Sequence, residues 1–247
     1  MPTPNEAAST AIVGSQPLYA QVRQRLVQRI STGEWRPGQL IPNEFELAKE
    51  MGVSQGTARK ALDSLASDGL LVRRQGRGTF VVEHTPSDML FRFFNLFDET
   101  GAPIVPNSID ARVALAKATA AERKQLRLGP NANVIRISRI RTRLDRPFIV
   151  ETLALPASRF GGLERQTPIP NTLYDHFQKQ FGITVTRGDE RVSPVLAGKR
   201  EAKALRVDVG TPLLKLDRRM YDLEDSVVEW RVSFCHLDDG YYGVQLE

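Results

Sequence analysis

Cysteine is almost absent. Cys235 stands alone in 247 residues, which excludes an intrachain disulfide framework and any cysteine-rich zinc site. Histidine is nearly as scarce: His84, His176 and His236 lie far apart, without the short ligand spacings of metal sites, so no metal or other cofactor is expected. Nowhere do about 18 apolar residues run together, and residues 1–16, MPTPNEAASTAIVGSQ, have neither a basic start nor a sustained apolar stretch. The expectation is a soluble cytoplasmic protein with no signal peptide and no membrane partner. Nor does one charge dominate. There are 34 Lys and Arg against 29 Asp and Glu, a formal charge of +5, and residues 1–85 hold ten basic and eight acidic side chains. Such a balance permits a polyanionic partner without demanding one, so the placement of the cations has to carry the argument.

Apolar residues make up 41% of the chain, enough for real cores, and at roughly 100–200 residues per domain the length suggests two. Residues 1–16 read as a disordered leader. From Pro17, Leu18, Val22, Leu26 and Ile30 recur four apart on one helical stripe, and Gly33 follows as a stop. Asn43 with Glu46 three residues later has the form of a capping box opening a short second helix that Gly52 ends. Ser54 is placed to cap a third helix, in which Ala58, Leu62 and Leu65 recur at helical spacing before Gly69. LLVRR and GTFVV then flank the short turn QGR, the pattern of a hairpin. Residues 17–81 thus read as one compact domain of three helices and a hairpin, and the mixed, proline-bearing residues 82–89 as a linker.

Residues 90–247 change to a strand rhythm and contain an internal echo. LRLGPNANVIRISRIRTRL, residues 126–144, aligns without a gap on LRVDVGTPLLKLDRRMYDL, residues 205–223, an offset of 79. After a turn one residue shorter, the strand ending at Glu151 meets the strand ending at Glu229. Each copy follows a helical run, so the repeated unit is helix, strand, turn, strand. With the helix NTLYDHFQKQFG and the strand-like ITVTRGDERVSPV, this predicts an α+β domain: an antiparallel sheet with helices on one face.

A short second helix leading by a tight turn into a third is a helix-turn-helix, whose last helix presents its N-terminal residues to base edges. Gln55, Thr57, Arg59 and Lys60 lie there, off the apolar stripe. Gln suits adenine, and Arg suits guanine or phosphate. The hairpin adds Arg73, Arg74 and Arg77, with Gly76 and Gly78 allowing close approach to a sugar-phosphate chain. A recognition helix with a wing beside it, reading a double-stranded DNA operator, accounts for the whole set. The competing reading is a set of ordinary solvated charges on a small α+β domain. The GRG in the hairpin is no dinucleotide fingerprint, since no helix follows it.

Residues 18–81, from LYAQVRQRL through VSQGTARKALDSL to RRQGRGTFV, resemble the winged-helix domain of the GntR family of bacterial transcription regulators. Residues 90–247 resemble the effector-binding (UTRA) domain of its HutC subfamily, which has a chorismate-lyase-like fold, through RIRTRLDRPFIVETLALP, TLYDHF and VVEWRVSF. The resemblance places DNA contacts on Ser54, Gln55, Gly56, Thr57 and Arg59 and on Gln75, Gly76 and Arg77. Many relatives have arginine where this chain has Phe45 and Gln55, which implies a different operator. It also implies repression as the default, and because one recognition helix reads only a few base pairs, a homodimer on a roughly palindromic site is expected.

In the second domain, Ile135, Ile137, Arg139 and Arg141 share one strand face because alternate residues point the same way. An apolar face turning cationic suits the floor of an anion pocket; the alternative is a solvent-facing edge strand. The resemblance agrees with the pocket, implying a small anionic metabolite effector held through Arg139, Arg141, Thr172, Tyr174 and Glu229, with Glu151 the repeat counterpart of Glu229. Two other functions compete. An enzyme acting on a small carboxylate lacks a nucleophile with a base at recognisable spacing, since Cys235 and His236 would point to opposite faces. A structural nucleoid-type binder would leave the repeat-built domain without purpose.

Overall fold

The computed structural model describes residues 17–82 and 93–244; the leader and residues 83–89 of the expected linker lie outside the described residues. The chain divides into a unit ending at Val82 and a unit starting at Glu83.

In the first unit, helix α1 (Leu18–Ser31) packs on α3 (Gln55–Ser67), and α2 (Glu44–Met51) packs on α3 from another side. Val22, Leu26, Ile30, Leu47, Ala58, Leu62 and Leu65 are buried between them. Leu18 is not: it is 61% exposed, and Val27 is buried instead. Each four-residue step turns an α-helix by about 40° beyond a full circle, so a strict ladder of fours winds out of the buried arc at one end. The capping box forms, with Asn43 Oδ1 accepting from Phe45 and Glu46 N–H and the Glu46 carboxylate accepting from Asn43 N–H. At the end of α3, Gly69 (φ +67°) donates to Ala66 and Leu70 donates to Leu65, a Schellman closure that turns the chain into the hairpin. Strands β1 (Leu71–Arg74) and β2 (Gly78–Val81) pair antiparallel, and Gln39 and Ile41 bond to the outer edge of β2.

The second unit is built on a six-stranded antiparallel sheet of order β4-β5-β6-β9-β8-β7. Its strands are β4 (Asn107–Lys117), β5 (Asn133–Arg143), β6 (Arg146–Pro156), β7 (Val185–Leu196), β8 (Pro212–Asp222) and β9 (Val227–Cys235). Two short strands, β3 (Leu96–Asp98) and β10 (Gly240–Tyr242), pair separately. The repeat is structural. An offset of 79 carries α4 (Ala120–Leu126) onto α6 (Lys199–Leu205), β5 onto β8, and the left-handed helix end at Arg127 (φ +55°) onto that at Arg206 (φ +59°). The second hairpin strands of the two copies, β6 and β9, are neighbours at the centre of the sheet.

Helices cover both faces, not one. On one face α4 and α6 pack with Leu126, Val134, Ala154, Leu205 and Leu213. On the other, α5 (Leu173–Phe181) and a turn of 3-10 helix (Leu163–Arg165) bury Ile135, Ile137, Leu153, Leu155, Phe177 and Met220. Consecutive residues Val134 and Ile135 are both fully buried, as a strand covered on two sides requires. Among the described residues no helix is long and apolar enough to cross a membrane.

Candidate functional site

On the first unit, α3 begins where Ser54 Oγ accepts from Thr57 N–H at 3.2 Å and meets Thr57 Oγ1 at 2.9 Å. Ser54, Gln55, Gly56, Arg59 and Lys60 are exposed along the start of the helix and Thr57 is half-buried. Arg59 donates to Glu44 at 2.8 Å, which ties the start of α2 to the exposed face of α3 and holds the Glu44 carboxylate below its usual range. Phe45, next to Glu44, is 66% exposed. Lys60 sits over the Tyr19 ring, 4.1 Å from its centroid. Gly56 has ordinary helical backbone, and a Cβ there would meet only Ser54 Oγ at 3.9 Å, so the fold itself does not require glycine.

The hairpin tip is Gln75, Gly76 (φ +69°) and Arg77, all exposed. Behind it Arg73 pairs with Asp63 on α3 at 2.5 Å, and the Arg74 guanidinium lies 4.8 Å from the centre of the Phe80 ring. Four of the sequence-predicted cations, Arg59, Lys60, Arg73 and Arg74, therefore brace the unit as well as face outward. Glu44 was not anticipated; only its neighbourhood to the capping box marked it.

On the second unit, Arg139, Arg141, Glu151, Tyr174 and Glu229 come together under the first turn of α5. Glu151 accepts from Arg139 Nε at 2.5 Å, Arg141 at 3.4 Å, Arg231 at 3.3 Å and Ser233 at 3.2 Å. Glu229 accepts from Tyr174 at 3.0 Å and from Arg231 at 2.8 and 3.0 Å. Arg218 donates to Glu190 at 2.7 Å. Burial drives the Glu151 carboxyl up, but the Arg231, Arg139 and Arg141 guanidiniums outweigh it and hold it well below the usual range. Burial, Arg139 and Arg231 together pull Arg141 down to about 9 against the opposing pull of Glu151. Burial raises Tyr174 above its usual range, so it stays a neutral hydroxyl that donates to Glu229.

A cavity opens beside this cluster, lined among others by Phe93, Phe94, Arg139, Arg141, Thr172 and Tyr174. Thr172 is the N-cap of α5 yet makes no side-chain cap bond. Glu151 and Glu229 do not line the cavity; they lie beneath the arginines with their oxygens occupied. Glu229, expected from the sequence to accept from an effector's hydroxyl or amino groups, accepts here from Arg231 and Tyr174 and so anchors both side chains. Arg231 and Arg218, outside the sequence-predicted set, also line the cavity. Arg218 is Arg139 moved by the repeat offset, and Arg231 follows Glu229 by two on the same strand face, so both were readable from patterns already in hand.

Residues 18–81 match the family model of the gntR family of bacterial regulatory proteins, and residues 104–239 match that of the UTRA domain. The chain belongs to the GntR family. Within it the chain is 32% identical over 235 residues to a histidine utilization repressor of Pseudomonas putida, covering 94% of each chain. It is 29% identical to the HTH-type transcriptional repressor NagR of Bacillus subtilis, covering 90% of this chain and 95% of that one. The crystal structure of PhnF from Mycobacterium smegmatis is similar at 27% identity and a TM-score of 0.54, covering 92% and 99%. This GntR-family chain is a DNA-binding transcriptional regulator with an effector-binding domain, and not an enzyme. Cys235 is 1% exposed, and burial pushes its thiol above its usual range.

Proposed function

We propose that this regulator is a repressor that binds a palindromic operator as a homodimer, reads bases through Gln55, Thr57 and Arg59, contacts phosphates through the wing tip, and changes its operator affinity when an anionic metabolite occupies the arginine-lined cavity. The observation that carries the effector half is a cavity at the start of α5 lined by four arginines, Arg139, Arg141, Arg218 and Arg231. Hydrogen bonds between charged partners contribute about 1.5–3 kcal/mol each, so an anion gains from guanidiniums that line a cavity. The relatives named as repressors support the sense of regulation.

For the DNA half, a base-reading arginine and a phosphate-contacting arginine respond differently to substitution. Arg59→Ala costs about 1–3 kcal/mol on a selected operator and relaxes discrimination, whereas Arg77→Ala weakens all sequences alike and flattens the salt dependence. Fluorescence anisotropy on operator and random DNA at several salt concentrations measures both. Equal loss of discrimination in the two variants contradicts the assignment of helix and wing.

A further inference from the structure

The charges around the cavity do not balance. Four guanidiniums, of Arg139, Arg141, Arg218 and Arg231, face three carboxylates, of Glu151, Glu190 and Glu229, and all seven side chains are 12% exposed or less. The next cation along β5, Arg143, is compensated separately by Asp98 and Asp239 at a wetter position. Among the described residues one uncompensated positive charge therefore remains where desolvation makes it expensive.

Arg141, whose side chain is 2% exposed, lines the cavity together with Arg139, Arg218 and Arg231. The same cavity is bounded by Thr172, Leu173 and Tyr174, the start of α5, where backbone N–H groups lack helical acceptors and the helix dipole favours negative charge. Its volume of about 30 Å³ compares with roughly 10–15 Å³ for one water on the same measure. Phe93 and Phe94 form the apolar part of the wall.

Resting on the anion-pocket reading above, we infer that the effector is a monocarboxylate: one negative charge, its two oxygens accepting from Arg141 and the first turn of α5, its uncharged remainder against Phe93 and Phe94. A monoanion brings the buried cluster to neutrality. A phosphate dianion overshoots by one charge and leaves the cluster negative.

Calorimetric titration and thermal shift of the full chain, at fixed ionic strength and pH 8, with matched probes test this: acetate with methyl phosphate, benzoate with phenyl phosphate, gluconate with glucose 6-phosphate, and inorganic phosphate. Hits are assigned to the cavity by their loss in Arg141→Met, a substitution whose size the fold accepts, because the repeat places the fully buried Met220 at the equivalent position. The expected result is that cavity-assigned hits are monocarboxylates, each at least about tenfold tighter than its phosphate partner. Phenyl phosphate should gain affinity at pH 5, where it loses its second charge. Phosphate monoesters binding the cavity equally or more tightly at pH 8 overturn the monocarboxylate inference while the anion pocket stands. If no probe of either class binds in a manner sensitive to Arg141→Met, the pocket reading itself fails and the inference with it.

Discussion

Arg231 and Arg141 are both buried arginines of one cluster, yet the charge count assigns them opposite effects on stability. Arg231 satisfies Glu229 with two bonds and reaches Glu151, so Arg231→Met leaves buried carboxylates short of partners and costs about 3–5 kcal/mol. Arg141 is the surplus cation, donating only long bonds of 3.4 Å to Glu151 and to the Pro106 carbonyl. Arg141→Met relieves repulsion from Arg139 and Arg231, and without effector the variant is at least as stable as the parent. Urea denaturation of the two variants separates them, and a fall of more than about 2 kcal/mol in Arg141→Met contradicts the count. At this scale the sequence was half legible. Alternation along β5 placed Arg139 and Arg141 on one face, but which arginine is neutralised depends on β9 lying beside β6, a pairing between residues about 80 apart that no local pattern encodes.

Elements were more legible than contacts wherever a local cause decides them. Ser54, the Asn43 capping box and Gly69 act through backbone groups within a few residues, and α2, α3 and the hairpin begin and end where those signals stand. The ladder of fours in α1 failed at Leu18 because it drifts about 40° per step out of the buried arc, and the helices expected on one sheet face failed because which faces are covered is set by which neighbours arrive. Gly56 is the element-scale oddity, a glycine inside a helix with room for a methyl group. Alanine there improves helix propensity by up to about 1 kcal/mol. If glycine is present to let DNA come close, Gly56→Ala keeps or raises the melting temperature while operator affinity falls about tenfold, the equivalent of one charge-assisted hydrogen bond. Thermal denaturation beside anisotropy tests this, and unchanged operator affinity removes Gly56 from the interface.

At the scale of the whole molecule, one recognition helix reads too few base pairs for a specific site, and two-fold pairing doubles the reading. We place dimerisation in residues 90–247. Sedimentation of that segment at micromolar concentration is expected to give a dimer, and a monomer there beside a dimeric full chain contradicts the placement. The pocket wall includes Phe93 and Phe94, which follow the junction between the two units in sequence, so an occupant touches the part of the effector domain nearest in sequence to the DNA-binding unit. Coupling between such sites is typically about 1–3 kcal/mol and reciprocal. The most direct measurement is operator affinity by anisotropy, with and without a saturating anion that binds the cavity, in the parent chain and in Arg141→Met. The two proteins are expected to bind operator equally without the anion; the anion then shifts the parent by about 5- to 150-fold and leaves the variant unmoved. An undiminished response in Arg141→Met, or no response in a parent chain shown to hold the anion, contradicts control of DNA binding through the buried arginine cluster.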